Sequence, residues 1–136
     1  MGAVHQIRIA ADLSELDKVR QFLKTSLADL NLSEENGFKI ELALVEMVVN
    51  VIRYAYPQGG GDIDIEIRKD HRRITIEIRD SGIPFDPCLA PKPDIDEVVA
   101  AGRKGGLGIY LTREIMDACS YRREDGRNIL TLVKKI

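Results

Sequence analysis

With 136 residues and a formal net charge of −2, the chain has the size of one folded domain with room for a real core. Charges of both signs are mixed along it and aromatics are few, three Phe, four Tyr and no Trp, which argues against direct nucleic-acid binding. No apolar run is long enough to span a bilayer, the opening MGAVHQIRIA lacks the apolar core of a signal peptide, and Gln6 stands where a myristoylation site wants Ser or Thr, so no membrane partner is expected.

Cys88 and Cys119 are expected as two isolated thiols, too few and too far apart for a disulfide framework. With His5 and His71 the only histidines, a zinc site is not expected either. A reducing, cytoplasmic setting is the simple inference.

Residues 4–9 have the β-branched content of a short strand. Asp12, Ser14 and Glu15 then supply a cap and an acidic first turn for a helix starting near Leu16. Leu16, Val19, Phe22, Leu23, Leu27 and Leu30 recur at the helical period, and core packing explains them. Asn31 and Ser33 break and recap the chain, with Glu34 and Glu35 where the positive end of a helix favours acids. Residues 41–56, ELALVEMVVNVIRYAY, lack Gly and Pro and are apolar over most of the circumference, which describes a buried helix. Pro57 and the Gly59-Gly60-Gly61 run stop it.

Ile63, Ile65 and Ile67 alternate with Asp64, Glu66 and Arg68, and Ile74, Ile76 and Ile78 with Thr75, Glu77 and Arg79. Period two predicts antiparallel strands with one face on helices and one in water, turning over residues 69–72. Asp80-Ser81-Gly82-Ile83-Pro84-Phe85 ends the second strand. Residues 86–104, with Pro87, Pro91 and Pro93, are too long for a plain connection and have the character of a lid, within which 94–101 could form a short helix. Gly105-Gly106-Leu107-Gly108 leads into a helix over 109–118. Residues 121–123 and 129–133 predict a closing hairpin around Asp125-Gly126. Sheet on one side and helices on the other make the fold class α+β.

Three polar residues interrupt the central helix: Glu46, Asn50 and Arg53. At about 100° per residue, steps of four and three put them on one narrow face, which Lys39 extends. A carboxylate and a carboxamide on a helix built for burial are costly unless neighbouring elements or a ligand pair with them. Asp80-x-Gly82 alone reads as a turn. Gly105-Gly106-x-Gly108 alone reads as a flexible helix entry, although exposed N–H groups at a helix N-terminus suit anions. In this order, with a proline-rich segment between the last two, the three pieces are far more specific.

The ordered set resembles the Bergerat-type ATPase/kinase superfamily, which includes gyrase, heat-shock chaperone, histidine kinase and mismatch-repair ATPases. Within it, the chain looks like the anti-sigma factor serine/threonine kinases of bacterial partner-switching systems. The likeness is carried by VEMVVNVIRYAYP, IRDSGIPFDP, GGLGIYLTREIMDACSY and GRNILTLVKKI, and it covers nearly the whole chain from Val4 onward. It implies a two-layer α/β sandwich of the Bergerat ATP-binding type, with a mostly antiparallel mixed sheet and helices on one face. Residues 1–136 would form a single ATP-binding kinase-type domain, a homodimer in solution.

The resemblance also implies roles. Asn50 would coordinate Mg²⁺ bridging the phosphates of ATP. Asp80 would accept a hydrogen bond from the adenine amino group, and Gly82 would let the backbone approach the ring. Gly105, Gly106, Leu107 and Gly108 would wrap the phosphates, and Thr131 on the last strand would reach the adenine. Glu46 would be the general base for a protein serine or threonine attacking the γ-phosphoryl group. Arg103 and Lys104 are either a charge-neutralising pair or a solvated one. The implied partners are an anti-sigma factor antagonist and a sigma factor or regulatory phosphatase.

Two positions depart from the family pattern: Pro84 stands where a second glycine is frequent, and Tyr54 where many relatives have His. The implied function is an ATP-dependent kinase that phosphorylates an antagonist and regulates a sigma factor. The alternative is an ATP-binding partner-switching module with little or no kinase activity. A detached histidine-kinase catalytic domain fits less well, since no helical phospho-acceptor segment is present.

Overall fold

A computed structural model describes residues 3–89 and 107–136. Of the expected lid over 86–104, residues 90–104, including the expected short helix over 94–101, lie outside the described residues. Strand β1 (Ala3–Ala10) leads through a 3₁₀ turn (Leu13–Glu15) to α1 (Leu16–Leu27) and α2 (Glu34–Tyr54). The hairpin β2 (Asp62–Lys69) and β3 (Arg73–Asp80) follows, then a 3₁₀ turn (Pro87–Leu89), α3 (Leu107–Ile115), β4 (Ala118–Glu124) and β5 (Arg127–Lys135).

Local signals account for the boundaries. Asp12 accepts from the Ser14 amide at 2.8 Å and starts the 3₁₀ turn, and Ser33 accepts from the Asn36 amide at 3.1 Å and caps α2. Helix α2 ends at Tyr54, two residues earlier than the apolar pattern predicts. The Ala55 amide still bonds to Val51 O, but the Ala55 carbonyl accepts from Ile83 N at 2.9 Å. The chain beyond β3 thus takes over the last helical acceptor.

The sheet order is β1-β2-β3-β5-β4. Every pairing among the described residues is antiparallel, in an α+β fold of the expected class. The hydrophobic register is continuous across the middle strands: Ile65 faces Ile78, Ile67 faces Ile76, and these face Leu130 and Leu132 in turn. Against this face pack Val19 and Leu23 of α1 and Ile40, Leu44, Met47 and Val51 of α2, all buried. Six isoleucines of β2 and β3 are at most 1% exposed. Each contributes about 1.5–3 kcal/mol, so Ile76→Ala would cost about 2–5 kcal/mol.

The opposite face is less wet than alternation alone suggests. Glu66 and Glu77 are 8% and 7% exposed. Arg68 closes on Glu66 at 2.7 Å, Arg79 on Glu77 at 2.8 Å, and Gln6 Nε2 donates to Glu66 at 2.7 Å. The guanidinium groups pair with the carboxylates, which offsets the cost of burying them.

The cysteines also differ from expectation. Cys88, in the second 3₁₀ turn, and Cys119, on β4, form a disulfide with Cα atoms 6.0 Å apart. Their separation of 31 residues along the chain is no guide, because the turn packs beside the edge strand in space. No helix among the described residues is long and apolar enough to cross a membrane.

Candidate functional site

Helix α2 presents its polar face toward α3. Asn50 is 5% exposed and its Nδ2 donates to Glu46 O at 2.7 Å, leaving the amide oxygen as the atom able to bind a ligand. Glu46, one turn earlier, is half-buried. A Cβ built on Gly108 would lie 2.3 Å from Glu46 Oε2, so α3 comes this close only because residue 108 has no side chain. Thr112, fully buried, bonds Gly108 O at 2.9 Å and reaches Ala43 O at 3.3 Å, tying α3 to α2. The Glu46 carboxylate consequently lies over the first turn of a helix, where negative charge is favoured.

Asp80 forms the second half of the site. It continues the core-facing series Ile74, Ile76, Ile78, so period two carries a carboxylate to the end of the buried face, 2% exposed. Its Oδ1 accepts from Gly82 N at 2.9 Å and from Asn128 Nδ2 at 2.8 Å. Burial raises the Asp80 pKa above the ordinary carboxylate value, and the two donors, with Arg123 and Arg127 nearby, only partly oppose that rise. Among the described residues no hydrogen bond reaches Oδ2, which leaves it as an acceptor for a ligand amino group.

Gly82 is held by a close approach. A Cβ there would meet the Ala55 carbonyl oxygen at 2.2 Å, and this packing lets Ile83 N donate to that same oxygen. The Tyr56 hydroxyl donates to Asp62 O at 2.8 Å and accepts from Ser81 N at 2.7 Å, pinning the segment from the other side. Tyr54, the departure from the family pattern, rests its ring 5.2 Å from that of Phe85.

Asn128 is the residue that sequence reasoning missed. It lies opposite Asp80 in the β3–β5 register and is 2% exposed. Besides Asp80, its Nδ2 donates to Ile83 O at 2.8 Å. Its Oδ1 accepts from the Tyr121 hydroxyl at 2.5 Å, Arg123 at 3.0 Å and Phe85 N at 3.4 Å. Arg123 also donates to Gly82 O at 2.8 Å. One carboxamide thus joins β3, the segment after it and both strands of the closing hairpin.

Thr131, expected at the adenine, is corrected by the same register. It pairs with Glu77 and Ser120, one step out of phase with Asn128, Leu130 and Leu132, and so lies on the sheet face away from Asp80. Leu107 opens α3. Gly105, Gly106, Arg103 and Lys104 lie outside the described residues. Glu46 and Gly108 come together at the α2–α3 contact, with Asn50 one turn further along α2, while Asp80 and Gly82 gather with Asn128 at the strand end.

Among the described residues there is no cluster of three or more His, Cys, Asp or Glu able to hold a metal. A magnesium held by protein ligands alone does not fit. One carried on phosphates and completed by water and the Asn50 amide oxygen does, since this hard ion keeps most of its water and takes few protein oxygens.

Comparison with known proteins identifies the family. Residues 9–134 match the histidine kinase-like ATPase domain family. The chain is 33% identical over 96 residues to the serine/threonine-protein kinase BtrW of Bordetella bronchiseptica, covering 70% of this chain and 68% of that one. It is 27% identical over 95 residues to the serine-protein kinase RsbW of Bacillus thuringiensis, covering 67% of this chain but only 59% of that kinase.

Two solved structures share the fold with a TM-score of 0.62 over 97% of this chain. One, at 16% identity, contains the RsbU and RsbW domains of a Mycobacterium tuberculosis protein, of which the match spans 32%. The other is the SiaB–SiaC complex of Pseudomonas aeruginosa, at 17% identity and with 89% of the matched chain covered. The family match over nearly the whole chain and the buried Asp80 at a strand end lead to one conclusion: this chain belongs to the histidine kinase-like ATPase domain family.

Proposed function

We propose that this chain is an ATP-dependent protein serine/threonine kinase of the anti-sigma factor type, which phosphorylates an antagonist protein and so regulates a sigma factor by partner switching. The observation that carries the kinase reading is the Glu46 carboxylate, half-buried beside Gly108 and one helical turn before Asn50. The names of the BtrW and RsbW kinases support the reaction class. The SiaB–SiaC structure, a complex of two proteins, supports a protein partner.

In this reading Asp80 and Gly82 recognise the adenine, with Asn128 in the place expected of Thr131. Gly105, Gly106, Leu107 and Gly108 would wrap the phosphates. Glu46 takes the proton of the substrate hydroxyl as its oxygen bonds to the γ-phosphorus and the bond to ADP breaks. Asn50 would hold a magnesium ion, whose charge neutralises the phosphates when it is bound. The same geometry serves the alternative, a switch that binds ATP and exchanges partners without transfer.

Two variants separate the readings. Glu46→Gln keeps ATP affinity within a few fold while transfer to the cognate antagonist falls by roughly 10²–10⁴, the usual range for a general base. Asn50→Ala damages Mg²⁺-ATP binding and transfer together. Wild-type protein that exchanges partners on ATP addition but transfers no phosphate would decide for the switch.

A further inference from the structure

We propose that Cys88 and Cys119 form a reversible thiol–disulfide site whose redox state is coupled to the nucleotide site. Both side chains are half-buried, packed against the core yet open to a small reagent. Their Cα distance of 6.0 Å lies within the range that a disulfide bridges without backbone movement.

The two residues sit on either side of the Asn128 network. Cys88 follows Phe85 by three residues, and its own amide donates to Asp86 Oδ1 at 2.9 Å, shaping the turn. Phe85 N and Ile83 O are both bonded to Asn128. Cys119 pairs with Leu132 on β5, and two residues on along β4 Tyr121 holds Asn128 Oδ1. With the disulfide formed, the run from Asp80 to Cys88 is tied covalently to β4. With the bond reduced, among the described contacts the segment after Asp80 is held to the hairpin by hydrogen bonds from Arg123 and Asn128 and by the weaker Phe85 bond.

The co-reactant is a small-molecule disulfide such as glutathione disulfide. One cysteine thiolate attacks it, giving a mixed disulfide and one glutathione thiolate. The second cysteine displaces the other glutathione, so two protein thiols become one disulfide and the oxidant becomes two thiols. In a compartment that keeps thiols reduced, the bond would form when oxidant rises. The chemistry stands on the cysteine geometry alone, whereas the coupling rests on ATP binding beside Asp80.

The test equilibrates the full chain in glutathione redox buffers. Intact mass and thiol alkylation report the bond, and calorimetry reports affinity for a non-hydrolysable ATP analogue. The oxidised form is expected to bind the analogue on the order of 5–10-fold more tightly, and saturating analogue must shift the oxidation equilibrium by the same factor. Cys119→Ser should abolish both effects, and reduced wild-type protein serves as the control if that variant folds poorly. Thiols that remain alkylatable in excess glutathione disulfide overturn the site. A bond that forms without changing affinity overturns the coupling. Failure of both forms to bind the analogue refutes the ATP reading and the coupling together, while the mass still decides whether the bond forms.

Discussion

Replacing Asn128 by alanine tests whether the proposed adenine end of the site, at Asp80, is built as described. The substitution removes a charge-assisted bond to Asp80, about 1.5–3 kcal/mol, and a neutral one to Ile83 O, about 0.5–1.5 kcal/mol. It also strips Tyr121 of its acceptor, while Arg123 keeps Gly82 O. The sum is about 2–4.5 kcal/mol, which in a domain of this length lowers Tm by about 6–18 °C. An Asp80 carboxylate left with only the Gly82 amide as donor presents Oδ2 less well. Affinity for an ATP analogue at a temperature where the variant is folded should therefore fall at least about tenfold, or 1.4 kcal/mol. Thr131→Val is the control, because Thr131 lies on the other face of the sheet, and its affinity should match wild type. Thermal melts and calorimetry on the three proteins decide. The reasoning is refuted if Asn128→Ala melts within about 2 °C of wild type and binds normally, or if Thr131→Val is the variant that weakens binding.

The two close-approach glycines should fail differently. Gly82→Ala drives a Cβ into the Ala55 backbone carbonyl and should cost about 1–3 kcal/mol of stability in a denaturant titration. Gly108→Ala meets mainly the movable end of Glu46, so the protein should stay folded while phosphoryl transfer drops. The raised pKa of Asp80 means that the folded state holds its proton more tightly than the unfolded chain does. Its contribution to stability is full below the unfolded value near 3.8 and is lost as pH rises through the raised folded value. The stability of Asp80→Asn relative to wild type should accordingly improve with rising pH across that window, read from paired melts, whereas ATP-analogue binding to wild type should strengthen. Strand β1 is an edge strand with Val4 56% exposed, which fits the proposed homodimer. Light scattering should give twice the 15.2 kDa chain mass, and a monomer at micromolar concentration would count against it.

Much of this protein was determined by local pattern. The six alternating isoleucines define two strands and their buried face because a period of two admits one solution when every other residue is polar. The same alternation carries Asp80 to the core side of β3, and the helical period puts Glu46 and Asn50 on one face of α2. Strand β5 offered no such guidance. In Asn128-Ile129-Leu130-Thr131-Leu132-Val133 both alternations are largely apolar, so either Asn128 or Thr131 could face the helices, and only pairing Asp80 with Asn128 settled which one does. The Cys88–Cys119 bond and the Glu46–Gly108 contact likewise join residues remote along the chain. Periodicity reports which way a side chain points relative to its own backbone. Which element it meets depends on how the strands and helices pack, and the tertiary structure alone decided that.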